Sequence, residues 1–70
     1  MDDPDPFEPE THIFTGTVKR WGVRYGELLT DSGFAVHFLT QGHPPISEGT
    51  HVTIVTRKYR PRYVVIGVRV

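Results

Sequence analysis

The sequence predicts an all-β fold: a small five-stranded antiparallel barrel behind a disordered acidic arm. Three observations predict it. No stretch of the 70 residues places apolar side chains at sustained helical spacing. β-branched residues dominate the last twenty positions, as strands favour. Short β-like runs are separated by clusters of Gly, Pro, Asp and Ser. Seventy residues, six of them Pro and seven Gly, make one small domain. A core of that size contributes only about 3–5 kcal/mol. A Rossmann unit, a TIM barrel or a two-domain cleft does not fit. Hydrophobic content of 37% and aromatic content of 11% are enough for a globular core.

The elements follow in order. Residues 1–11 read as the arm: three Pro, five acids and one Phe lie within the first ten positions. Residues 12–70 read as the barrel. Its first run is Ile13–Trp21 and its second Arg24–Thr30. Asp31-Ser32-Gly33 turns the chain into a third run, Phe34–Leu39, as a hairpin. Residues 40–50 hold two Pro and two Gly and read as a loop. The fourth run is His51–Arg57, with Val52 and Ile54 alternating against His51, Thr53 and Val55. Lys58–Arg62, with Pro61, reads as a basic turn. In the fifth run, Tyr63–Val70, alternation sets Val64, Ile66, Val68 and Val70 on one face and Tyr63, Val65, Gly67 and Arg69 on the other. Five strands with a long connection after the third suit an OB-type Greek-key barrel, with an SH3-like barrel as the rival.

Composition excludes several functions. There is no Cys, which rules out disulfides, Cys-based zinc sites and thiol nucleophiles. No apolar run reaches the roughly 18–20 residues of a membrane span. The opening Met-Asp-Asp-Pro-Asp-Pro is acidic, unlike a signal peptide. A cytoplasmic location is the expectation. Net charge is zero but divided. Asp2, Asp3, Asp5, Glu8 and Glu10 crowd residues 1–10, with no Lys or Arg among them. Residues 11–70 carry all eight Lys and Arg against three acids, Glu27, Asp31 and Glu48, a net +5. Such a body calls for an anionic partner, and the arm is a counter-charge that screens it.

Four segments carry a resemblance. They are Gly16-Thr17-Val18-Lys19-Arg20-Trp21, Arg24-Tyr25-Gly26-Glu27-Leu28, Ala35-Val36-His37-Phe38 and Glu48-Gly49-Thr50-His51-Val52. In this order and spacing the chain, over about residues 14–70, resembles the bacterial cold-shock domain. That family opens with Gly-Thr-Val-Lys and two aromatics. It continues with Lys-Gly-Phe-Gly-Phe-Ile and Phe-Val-His-Phe, and begins strand four with Glu-Gly-Gln-x-Val. The resemblance implies a five-stranded OB barrel that holds single-stranded RNA or DNA without catalysis, as an RNA chaperone or regulator. Exposed rings would stack on unpaired bases at roughly 1–3 kcal/mol each. Lys and Arg would bind phosphates and make affinity salt-dependent.

Carried over position by position, Lys19, Trp21, Tyr25, His37 and Phe38 match the family pattern. Arg20, Glu27 and Ala35 stand where it has aromatics. Arg20 retains a guanidinium plane that stacks on bases. Glu27 shares a face with Tyr25 and puts a negative charge inside the platform. It either weakens binding or accepts a hydrogen bond from a base amino group. By position alone Trp21 is open between core and surface, and the resemblance assigns it to the platform. Phe38 shares parity with Phe34 and Val36 and so reads as core, whereas the resemblance makes it a platform residue.

A further candidate rests on composition alone. Arg57-Lys58-Tyr59-Arg60-Pro61-Arg62-Tyr63 holds four bases and two Tyr with no acid. It reads as a phosphate clamp with interleaved aromatics, over the plainer reading of a solvated hairpin tip. The expected nucleic-acid contacts are therefore Lys19, Arg20, Trp21, Arg24, Tyr25, His37, Phe38, Arg57, Lys58, Tyr59, Arg60 and Arg62. The four His, at 12, 37, 43 and 51, match no metal-ligand spacing, so no metal is expected. Nor is a cofactor, small-molecule substrate, membrane or enzymatic activity, since no triad, acid pair or phosphate-cradling loop is present. The alternative to nucleic acid is a protein partner, held by an OB or SH3-like barrel whose platform has been lost.

Overall fold

In a computed structural model, residues 10–59 and 61–70 are described. They form five strands and no helix: β1 (Glu10–Trp21), β2 (Tyr25–Thr30), β3 (Ala35–Leu39), β4 (His51–Tyr59) and β5 (Arg62–Arg69). The sheet closes into a barrel-like ring in the order β1–β2–β3–β5–β4. Long β1 makes this possible by serving two neighbours. Glu10–Thr17 pair with β4 and Gly16–Trp21 with β2. Residues 1–9 and Arg60, and with them most of the expected arm, lie outside the described residues. Glu10 and Thr11 belong to β1.

One expectation about the sheet is corrected. It is mixed, not antiparallel throughout. β3 and β5 run parallel where they close the ring, through Phe38↔Tyr63 and Leu39↔Val64. The 40–50 connection carries β4 past β3, so β5 returns along β3 in the same direction.

The core is Val18, Leu28, Val36, Phe38, Val52, Ile54 and Val65, with Phe14, Trp21, Ile46, Tyr63 and Val68 packed against it. The face assignment of β5 is also corrected. Val65 is buried and Ile66 is 45% exposed, on opposite faces as expected, but Val68 packs on the core with Tyr63 and Val65 instead of sharing the face of Ile66. The β4–β5 register slips between Val55 and Thr56, which face Gly67 and Val65. Ile66 is the extra residue of a bulge, and an extra residue inverts the facing of everything beyond it. Inward residues are thus Tyr63 and Val65 before the bulge and Val68 after it. Phe34 precedes β3 and is 59% exposed, so it does not share the facing of Val36 and Phe38. Strands β4 and β5 also run further into the basic turn than expected, with Tyr59 paired to Arg62.

Three buried threonines hold the connections. Thr30 Oγ1 accepts from Phe34 N at 3.1 Å and so fastens the β2–β3 turn. Thr40 Oγ1 donates to Val23 O at 2.7 Å and Gly22 O at 3.3 Å, and Thr40 N donates to Arg24 O at 2.8 Å. Thr56 Oγ1 donates to His12 O at 2.8 Å, between β4 and β1. Each hydroxyl is buried with a partner, as an interior polar group must be. Thr40 fixes the β1–β2 turn from which Arg24 and Tyr25 project.

Candidate nucleic-acid interface

The outward face of β1–β2–β3 is built from rows of paired residues. Register places Arg20 opposite Glu27 and Glu27 opposite His37, one row across three strands. Tyr25 lies opposite Leu39 on one side of it, and Thr17, Leu29 and Ala35 form the row on the other. Tyr25 is 56% exposed, and Lys19, Arg20, Arg24 and His37 are all exposed. These expected contacts share this face and its rim.

A bulge corrects the expectation for Trp21, and regular alternation in β3 that for Phe38. The β1–β2 register slips between Val18 and Arg20, with Lys19 the extra residue. Val18 points inward, so without the slip Arg20 would also point inward and Trp21 outward. With it, Arg20 faces solvent, while Trp21 lies opposite Gly26 in the inner row. The Trp21 ring packs on Phe38 at 5.1 Å between centroids. Its Nε1 is buried without a hydrogen-bond partner among the described residues. Phe38 is 2% exposed and fills the space over Gly26. Phe38 is too buried to stack on a base, and Trp21 is partly buried against it. Of the aromatic positions carried over from the family pattern, only Tyr25 and His37 stand outward.

The second group lies on the β4–β5 hairpin. Arg57, Tyr59 and Arg62 are exposed and Lys58 is half-buried, its Nζ 5.4 Å above the Tyr63 ring. Tyr63 also meets Phe14 and His12 edge-on, at 5.2 and 5.4 Å. Arg60 lies outside the described residues. The His side chains are spread apart: His12 contacts Glu10 and His51 contacts Asp31, each at 3.0 Å. Among the described residues no three His, Asp or Glu gather to hold a metal.

Two shallow clefts join these groups. One, of about 260 Å³, is lined by Val23, Arg24, Tyr25, Leu39, Gln41 and Gly42. The other, of about 380 Å³, is lined by Gln41, Tyr59, Val64, Val65 and Ile66. They meet at Gln41, a residue held at φ 51°, in the left-handed region that non-glycine residues seldom occupy. Sequence reasoning missed Gln41 and Val23, since both sit in segments read only as turn or loop. The signal for them is three-dimensional: they adjoin two exposed tyrosines that are 34 positions apart in the chain.

Comparison with family models, with curated proteins and with solved structures returned no match for this chain.

Proposed function

We propose that this chain is a non-catalytic module that binds single-stranded RNA or DNA on an OB-type Greek-key barrel, similar to a cold-shock domain. One observation carries the reading. Two half-exposed tyrosines, Tyr25 at 56% and Tyr59 at 51%, line one each of two clefts that share Gln41. Arg24 lines the first cleft with Tyr25, and Arg62 is the register partner of Tyr59, with Arg57 two positions before it. Spaced rings with cations beside them suit a strand of unpaired bases, which needs π-faces to stack on and positive charge near its backbone. A duplex, with its bases already stacked, gains nothing from such rings. The sharing of β1 between β2 and β4, and the crossover to β4 by way of residues 40–50, support the OB-type assignment.

The test is anisotropy of labelled single-stranded oligonucleotides, as RNA and as DNA, titrated with the protein at several salt concentrations. Binding is expected to weaken with salt. Replacing Arg57, Lys58 or Arg62 by Gln should flatten the logarithmic salt dependence by about 0.7 for each phosphate no longer neutralised. Tyr25→Ala should cost roughly 1–3 kcal/mol of binding, with stability changed by less than about 0.5 kcal/mol. No binding to any single strand at low salt would refute the reading.

A protein partner is the second reading, and an exposed apolar residue outside the two clefts favours it. Ile13 is 64% exposed and faces half-buried Val55 on the outer side of β1 and β4. Under the nucleic-acid reading, the uncharged change Ile13→Ser leaves oligonucleotide affinity unchanged.

A further inference from the structure

The carboxylate of Glu27 is in an unusual position for a surface meant to hold a polyanion. It sits mid-face, 26% exposed, between Arg20 and His37 in the same row. Among the described residues it accepts no hydrogen bond. Its single charged neighbour there is Arg20, whose Nε is 4.0 Å from Oε1 and whose side chain is 79% exposed. That distance exceeds a hydrogen bond. A half-buried carboxylate has lost part of its hydration, and the fold returns only a long contact with one cation. A donor arriving from above the sheet would supply the rest.

The row also has an order: cation, anion, imidazole. A base lying over His37, which is exposed and directly opposite Glu27, presents its edge to Glu27 and Arg20. An edge that fits must offer an acceptor to the guanidinium and donors to the carboxylate. The Watson–Crick edge of guanine offers acceptor, donor, donor: O6, N1–H and N2–H. Adenine offers a donor and then an acceptor. Cytosine offers one donor followed by two acceptors. Uracil and thymine alternate acceptor, donor, acceptor, which sets a carbonyl against the second carboxylate oxygen. Such edges are accessible only in unpaired strands.

We propose that Arg20 and Glu27 together read the Watson–Crick edge of a guanine, making the module guanine-preferring; this rests on the nucleic-acid reading above. Glu27 is the base-reading residue, and Arg20 both holds its charge in place and donates to O6. The Lys19 bulge is what makes the pair, because it turns Arg20 outward beside Glu27.

The experiment uses the full chain and short labelled thymine-run oligonucleotides with one central guanine, inosine, 7-deazaguanine, adenine or cytosine. Inosine lacks the N2 amino group, and 7-deazaguanine keeps the whole Watson–Crick edge. A bidentate base contact discriminates by about 1–3 kcal/mol, which is roughly 5- to 150-fold in affinity. The wild-type protein should therefore favour guanine and 7-deazaguanine alike, and bind inosine, adenine and cytosine several-fold to a hundredfold more weakly. E27Q should remove the distinction between guanine and inosine. E48Q removes one negative charge that is outside the Arg20–Glu27–His37 row and should keep the ranking. Circular dichroism of each variant checks the fold. Equal wild-type affinity for every central base, or a ranking that E27Q leaves intact, would overturn base reading while the nucleic-acid function stands. E27Q tightening every oligonucleotide by one common factor would also overturn it, as Glu27 would then act only by repulsion. Failure of the wild type to bind any of these strands would overturn both.

Discussion

Gly26 shows how one missing side chain sets the interior. It lies in β2 opposite both Trp21 and Phe38, and it is buried. A Cβ added there would run into the edge of the Phe38 ring, with Cζ at 2.6 Å. The ring has little freedom to move aside, being 2% exposed and packed on Trp21. Gly26→Ala is therefore an overpacking change, expected to cost about 1–3 kcal/mol. On a domain this small each kcal/mol lowers Tm by about 4–8 °C. Thermal unfolding followed by circular dichroism gives the value. Phe38→Leu in the Gly26→Ala background should recover part of the loss, because the two changes compete for one space. Gly16 is tighter still. Its added Cβ would meet backbone, the Leu29 carbonyl and Thr30 Cα, which cannot rotate away.

At the scale of elements, the turns are set by hydroxyls that link backbone distant in the chain. Thr40→Val keeps the shape of a side chain that is fully buried but removes its bonds to the Val23 and Gly22 carbonyls. The net loss of such a hydrogen bond costs about 0.5–1.5 kcal/mol. The expected outcome is lower stability, and also weaker oligonucleotide binding at temperatures where the variant is still folded, because Arg24 and Tyr25 lose their anchor. Unchanged binding with reduced stability would show that the turn holds its shape without Thr40. These elements were legible to different degrees. Five strands stand close to where their apolar alternation put them, and Val52, Ile54, Val36 and Phe38 face inward as bare parity required. Tyr25 and His37 are exposed, where the family resemblance puts them. Bulges at Lys19 and Ile66 were not legible, because one inserted residue leaves no mark on composition yet inverts the facing of all that follows. Trp21 turned inward on that account, and Val68 came to the inner face beside Val65. The parallel β3–β5 pair was hidden too, since strand direction depends on a crossover and not on any local pattern.

Over the whole molecule, charge is divided by position. Residues 1–9 contain Asp2, Asp3, Asp5 and Glu8, and the chain enters β1 at Glu10, in register with Lys58. Strand pairing thus brings the start of β1 alongside the basic hairpin. Removing residues 1–9 is expected to tighten oligonucleotide binding at low ionic strength. The gain should vanish at high salt, where the screening length falls to about 3 Å at 1 M. Equal affinities for the two chains at low salt would show that the arm exerts no competing field. The manner in which the ring closes has a consequence for motion. Among the described residues β3 and β5 meet at two register positions, whereas β1 and β4 meet at eight. Local opening is cheapest where the fewest bonds break together. The ring is in effect a strap with a short clasp, and the clasp at Leu39 and Val64 lies beneath the junction of the two clefts at Gln41. A strand of bases lying from Tyr25 to Tyr59 would cross that clasp and fasten it, so that occupancy of the surface and rigidity of the ring become one property.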